Sequence, residues 1–247
     1  MDHDDAQVGH VLNRREVLAL LGAGGVSMLG ASSSLAGLSR PRLSLPSCIV
    51  RPSQTEGPYF LDEMLERADI RSDPGDGSEC EGAPLRLAFR VSRLDGSGCG
   101  PLPGALVDLW QCDALGVYSG VEDIGGLFDT RGKKFLRGYQ VTDADGMARF
   151  TTIYPGWYQG RTVHIHFKVR TDPAAERGHE FTSQVYFDDS LTDRVLETQP
   201  YAAHEGGGRM RNEQDQIFRS GGDQLLLDVT ADDDGYIATF DIGLQIG

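Results

Sequence analysis

Residues 161–170 read RTVHIHFKVR, so His164 and His166 are one residue apart in a segment rich in β-branched and aromatic residues. Side chains of a strand alternate faces with period two. The two imidazoles therefore project the same way, while Val163, Ile165 and Phe167 point into the other face. Strand rise puts such a pair about 7 Å apart, close enough to converge on one metal ion. An H-x-H pair alone also occurs by chance on exposed strands, so its surroundings decide. Upstream stands YPGWYQG, whose Tyr158 lies in a turn able to fold back over the strand. Tyr118 lies in LGVYSG, a glycine-flanked loop. No carboxylate or cysteine sits at ligand spacing beside the histidines. If a metal binds, its other ligands must be something else, and phenolates are unusual ligands. A free tyrosine ionises only near pH 10, so phenolate ligation needs a hard, highly charged cation such as ferric iron. The competing reading makes Tyr118 and Tyr158 half-buried packing residues with satisfied hydroxyls.

The elements that must position these groups read as strands. PLRLAFRVSR (84–93), ALVDLWQC (105–112), RGYQVT (137–142), ARFTTI (148–153), TVHIHFKVR (162–170), FTSQVYF (181–187), QLLLDVT (224–230) and YIATFDIGL (236–244) alternate apolar with polar residues. LDGSG, DADG and DDDG supply Asp-Gly pairs suited to hairpins. DADG (143–146) also resembles the start of a calcium loop, but the twelfth position is Tyr154 rather than Glu, so it reads as a hairpin turn. SLTDRVLETQ and NEQDQIFRS read as short helices opening on Ser or Asn caps. The pattern predicts an all-β chain, an antiparallel immunoglobulin-like β-sandwich with loop insertions and short helices.

Of the 247 residues, 39% are hydrophobic and 24% charged, an ordinary globular composition. The formal charge of -14 disfavours nucleic acid and anionic membrane surfaces as partners. NRREVLALLGAGGVSMLGASSSLAGLS carries Arg14 and Arg15 before a weakly apolar Gly/Ser-rich run. It reads as a twin-arginine export signal over residues 1–36, with an uncleaved membrane anchor as the alternative. Residues 37–47 read as a linker and 48–247 as one domain, its first part an ordered arm or loop region. The expected location is therefore periplasmic, cell-surface or extracellular, with the membrane involved only in export. Cys48, Cys80, Cys99 and Cys112 all lie beyond the signal. Four cysteines in an exported chain fit disulfides in any of three pairings, with buried thiols the alternative.

QTEGPYF (54–60), PLPGALVDLWQCDALGVYSG (101–120), FLRGYQVTDADGMARFTTIYPGWYQGRTVHIHFKV (135–169) and FTSQVYFDD (181–189) resemble the intradiol ring-cleavage dioxygenases, the family of catechol and protocatechuate dioxygenases. The resemblance runs over most of residues 48–245. It implies a β-sandwich holding one non-haem Fe(III) per chain on Tyr118, Tyr158, His164 and His166. It implies a catechol-type aromatic diol and O₂ as substrates and a muconate-type diacid as product. In that family one tyrosine leaves the metal and takes a substrate proton; motif order assigns this to Tyr158. Arg161 matches an arginine facing the substrate ring, Gln184 a polar pocket residue, and Tyr59 a residue of the segment that reaches the pocket. Two departures stand out. The gap between Tyr158 and His164 is shorter than in the protocatechuate enzymes. The long helical N-terminal segment through which catechol dioxygenases dimerise is also missing, which leaves the oligomeric state open. Two other classes remain: a non-catalytic exported module binding aromatics or carbohydrate, and a zinc hydrolase recruiting His179 or His204.

Overall fold

The chain's structure is a computed structural model that describes residues 48–96, 98–171, 178–204 and 208–246. The expected export signal and linker lie outside these residues. Among the described residues no helix is long and apolar enough to cross a membrane.

Nine strands form two facing sheets among the described residues. They are β1 (Pro84–Asp95), β2 (Gly98–Pro101), β3 (Leu106–Trp110), β4 (Arg137–Val141), β5 (Met147–Ile153), β6 (His164–Arg170), β7 (Glu180–Tyr186), β8 (Val229–Asp232) and β9 (Gly235–Gln245). One sheet has the order β4-β3-β6-β7 and is antiparallel throughout. The other runs β2-β1-β9-β8, with β5 also paired to β1. The expectation of a wholly antiparallel sandwich needs one correction: β1 and β9 pair in parallel, Leu85 opposite Tyr236 through Leu94 opposite Gln245. Parallel partners need a long crossover, and everything between them in sequence supplies it.

Alternation builds the core. Leu85, Leu87, Phe89 and Val91 of β1 face Ile165, Phe167 and Val169 of β6, all buried. The Phe167 ring lies 5.0 Å from Phe89 and 5.6 Å from Phe240. Each such side chain contributes about 1.5–3 kcal/mol on burial. The outer face of β6 carries His164, His166, Lys168 and Arg170, and it too is buried. Something therefore covers the outside of this sheet, and the arm at residues 54–66 does so.

Two predicted hairpins form: Asp95 pairs with Gly98, and Asp232 with Gly235. The DADG turn differs from expectation. It is closed by Asp143 N to Met147 O at 3.0 Å, but β4 and β5 belong to opposite sheets, so it carries the chain across the sandwich. β2, sequence GCGP, has no apolar alternation to announce it. Its Cys99 is disulfide-bonded to Cys48, one of the possible pairings, while Cys80 and Cys112 are thiols. Of the predicted strand 224–230 only the end is strand; Gly222–Leu225 is a 3-10 turn that buries Leu225. Helix α1 (Asp189–Leu196) is capped by Asp188 rather than Ser190. The second predicted helix is split into a 3-10 turn (Asn212–Gln214) and α2 (Gln216–Arg219), because Asp215 caps α2 itself, accepting from Ile217 N and Phe218 N.

Candidate metal centre

β6 opens at His164, and its first outward side chains set the site. His164 Nδ1 lies 2.6 Å from the Thr162 carbonyl, which fixes the proton on Nδ1 and leaves the Nε2 lone pair free. His166 faces Trp110 across the β3–β6 register and stacks on it at 5.0 Å and 8°. The two Nε2 atoms are 3.1 Å apart. Burial, reinforced by the Arg161 charge, pushes His164 down to about 3. Burial, then the His164 and Arg161 charges, hold His166 well below its ordinary value. Both rings are neutral at ordinary pH, as metal ligation requires.

Tyr118 comes from the β3–β4 connection. Asp113 organises that loop, its carboxylate accepting from Leu115 N and Val117 N, each at 2.9 Å. Gly116 sits at φ +83° so close to the Trp157 carbonyl that a Cβ would lie 2.3 Å from it. The Tyr118 ring is 5.8 Å from that of Tyr158 and 6.5 Å from that of His166. Its hydroxyl is buried without a hydrogen-bond partner. The Tyr158 hydroxyl, delivered by the turn before β6, lies 3.2 Å from His164 Nε2. Burial raises both phenols far above the ordinary tyrosine value. Without a metal they are protonated, and an unpartnered buried hydroxyl costs about 1–3 kcal/mol.

Among the described residues no group of three or more His, Cys, Asp or Glu is placed to hold a metal. The donor set here is two imidazoles and two phenols. Two neutral Nε2 atoms facing one another beside an orphaned phenol form a cradle that a hard cation would complete. The residues present therefore fit such an ion.

Arg161 is buried beside this cradle rather than on the surface, and two anchors hold it. Its Nε donates to Asp215 Oδ2 at 2.8 Å and its Nη2 to Gln184 Oε1 at 2.5 Å. Nη1 is left 3.5 Å from His164 Nε2. Burial opposes the Arg161 charge, but Tyr158 and Asp215 outweigh it and raise its pKa. Gln184, opposite His166 in the β6–β7 register, donates in turn to the Thr55 carbonyl at 3.0 Å. Tyr186 OH bonds to Gln54 Oε1 at 2.6 Å.

The arm lies across all of this. Gly57, at φ +74°, passes His166 so closely that a Cβ would stand 3.3 Å from its Cε1. Tyr59 packs on Tyr118 with ring centroids 4.7 Å apart, and its hydroxyl donates to Asp123 Oδ1 at 2.6 Å. Phe60 packs edge-on against Trp110 at 4.9 Å and also receives the Lys168 ammonium over its ring at 4.0 Å. Lys168 pairs with Glu56, and Arg170 with Asp62 at 2.9 Å and with Asp108.

All seven residues singled out from sequence thus lie in one neighbourhood. His179 does not. It adjoins Glu180, which pairs with Arg170 at the opposite end of β6 from His164. His204 stacks on Trp157 at 4.1 Å and makes no contact with the histidine pair. Sequence reasoning passed over Asp215, Asp123, Trp110 and Arg137. Trp110 and Arg137 lay inside motifs already noticed, and Asp215 was legible only as a cap before QIF.

A two-sheet sandwich with a His-x-His strand, two converging tyrosines and a buried arginine defines a class, and comparison with known proteins bears it out. A family profile described as Dioxygenase matches residues 55–235. The chain belongs to the intradiol ring-cleavage dioxygenase family. It is 31% identical over 156 residues to a chlorocatechol 1,2-dioxygenase of Pseudomonas sp. (strain P51), covering 56% of this chain and 55% of that one. It is 33% identical over 136 residues to the protocatechuate 3,4-dioxygenase beta chain of Burkholderia cepacia, covering 50% and 56%. The chain spans about half the length of the curated relatives it matches. Among solved structures, an intradiol ring-cleavage dioxygenase from Tetranychus urticae superposes with a TM-score of 0.67 at 29% identity, over 80% of this chain and 95% of that one. The dioxygenase domain of a dioxygenase–carbohydrate-binding fusion from Streptomyces sp. SirexAA-E gives 0.55 at 31% identity, over 81% and 100%.

Proposed function

We propose that this chain is an exported intradiol dioxygenase that holds one Fe(III) on Tyr118, Tyr158, His164 and His166 and cleaves catechol-type rings with O₂ to muconate-type diacids. The observation that carries the reading is the pair of neutral Nε2 atoms 3.1 Å apart beside the partnerless buried hydroxyl of Tyr118. Two phenols and two imidazoles suit a hard trivalent cation better than zinc or copper. When bound, Fe(III) would supply a Lewis acid that draws electron density from a chelated catecholate, so that the ring can react with O₂.

The chain's own residues would do the rest. Tyr158, its oxygen 3.2 Å from His164 Nε2, would be ionised when it serves as a ligand and stands where that phenolate could take a substrate hydroxyl proton. Tyr118, locked between Tyr59 and the His166 strand, stays in place. Arg161 turns Nη1 toward the same point and stabilises negative charge developing on the ring, already oriented before the reaction. Gln184 keeps the guanidinium at its angle. Tyr59 supplies an aromatic wall over the site, and the arm excludes water.

An oxidising compartment agrees with the Cys48–Cys99 disulfide. Export by the twin-arginine route would deliver the enzyme already folded to aromatic diols outside the cytoplasm. The relatives are named for catechol, chlorocatechol and protocatechuate, and a small aromatic diol is the substrate class assigned here.

The test is the visible absorption spectrum of the purified protein with its iron content, taken before and after catechol is added without oxygen. The expected result is one iron per chain and a broad red-brown tyrosinate charge-transfer band that moves to longer wavelength with catechol. Admitting oxygen then yields a diacid carrying both oxygen atoms. A protein that stays colourless after ferric loading would return Tyr118 and Tyr158 to the role of packing residues. Stoichiometric zinc with hydrolytic activity would replace the reading outright.

A further inference from the structure

Asp215 is 1% exposed and lies far from the ligand motifs in sequence. Its two carboxylate oxygens have separate tasks. Oδ1 caps α2, accepting from Ile217 N at 2.7 Å and Phe218 N at 3.3 Å. Oδ2 accepts from Arg161 Nε at 2.8 Å and from Thr162 N at 2.9 Å. The first task fixes the carboxylate to a rigid element, and the second transmits that fixity to the arginine and to the residue whose carbonyl orients His164. Thr162 is held again from the same segment, its hydroxyl donating to Asn212 Oδ1 at 2.7 Å. A carboxylate this buried would be costly without such partners.

The geometry has a further effect on Arg161. A guanidinium is a planar fork, so two anchors in its plane determine where the third nitrogen points. Asp215 takes Nε and Gln184 takes Nη2, which leaves Nη1 directed at the histidine pair, 3.5 Å from His164 Nε2. A flexible arginine would cost side-chain entropy at each turnover.

We propose that Asp215 is a positioning residue of this site: it acts through Arg161, aiming the free edge of the guanidinium at the position a substrate ring would occupy beside His164. The inference rests on the dioxygenase reading above.

Asp215→Asn separates the two tasks. The amide oxygen can keep the α2 cap, but the amide nitrogen then meets two N–H donors and cannot hold Arg161. With the iron-loaded protein, the expected outcome is a fall in kcat of about 10- to 100-fold. The thermal midpoint should fall by roughly 6–20 °C, because a buried ion pair is broken, while the folded protein should retain the shift of the absorption band on anaerobic addition of catechol. Adding Asp215→Asn to Arg161→Gln should lower kcat no further than Arg161→Gln alone, since both act through one group. Arg161→Lys is an independent arm. It keeps the charge but cannot reach both anchors while facing His164, and it should lose kcat by a similar factor. Wild-type kcat in Asp215→Asn or in Arg161→Lys would overturn the proposal, as would losses that multiply in the double variant. A wild-type protein that shows neither the band nor turnover would instead refute the dioxygenase reading, before any variant is compared.

Discussion

Arg137 offers a quantitative test of how the site is held. It is 3% exposed, and no carboxylate lies within ion-pair distance of it among the described residues. It spends its donors on backbone instead. Nη2 and Nε reach the Ser119 carbonyl at 2.6 and 3.0 Å, and Nη1 reaches the Tyr59 carbonyl at 2.6 Å. One guanidinium thus ties the arm to the loop that carries Tyr118. Burial pulls its pKa down to about 10, a sign that the charge is poorly compensated. Arg137→Met would leave two carbonyls without these donors, at about 1–3 kcal/mol each, while relieving the uncompensated charge. The net expectation is a loss of about 2–4 kcal/mol, or roughly 5–15 °C in thermal midpoint for a domain of this size. Arg137→Lys keeps the charge but can reach only one carbonyl at a time, and should fall between the two. Urea denaturation at several protein concentrations measures this directly. A loss below about 0.5 kcal/mol in Arg137→Met would show that these bonds do not hold the arm to the Tyr118 loop.

Other changes test neighbouring contacts. Asp123→Ala removes the acceptor for the Tyr59 hydroxyl and frees that ring from Tyr118; kcat/KM for bulky 4-substituted catechols relative to catechol should rise several-fold, with no change refuting a role for this bond in pocket width. Gly57→Ala places a methyl 3.3 Å from His166 Cε1 at a left-handed φ, and should cost about 1–2 kcal/mol together with weakened iron retention, read by dialysis against a chelator. Opening the Cys48–Cys99 bridge, which spans a sequence separation of 51, should lower stability by about 4 kcal/mol on chain-entropy grounds, read as a shift in urea midpoint on adding reductant. If the cradle holds Fe(III) as proposed, ferric loading should raise the thermal midpoint and chelation return it, since an ion held by the folded state alone favours that state.

How far the sequence alone could reach follows from the range of each interaction. His164 and His166 were legible because two-residue periodicity fixes their common face without knowledge of any neighbour. Tyr118 and Tyr158 needed the resemblance, since nothing local says that two loops from different parts of the chain meet. Strands with alternating patterns fell within a few residues of their observed limits, except 224–230, of which only the end is strand, whereas β2 did not show because its Gly-Cys-Gly-Pro depends on the hairpin and the disulfide beside it. The DADG turn was read correctly in its chemistry and wrongly in its consequence: a tight turn says that the chain reverses, not which sheet it rejoins. Asp215 escaped because a carboxylate before QIF looks like a helix cap, and that is half of what it is. Its other half depends on a partner that only the fold brings near.

The parallel pairing of β1 with β9 sets an order of assembly. Leu85 lies beside Tyr236 and Phe89 beside Phe240, so one edge of the first strand stays open until nearly the last residues of the domain have been made. The β3–β6–β7 sheet that carries the histidines can pair earlier, from strands less far apart in sequence than β1 and β9, but its inner face has no complete partner until β9 closes the opposite sheet. Such nonlocal closure is slow, and it exposes apolar surface in the interval. A ribosome-bound chain therefore carries its ligand strand before it owns a core to brace it. The cradle becomes rigid late and all at once, and a metal ion that needs four donors in fixed places would meet them only in the finished molecule.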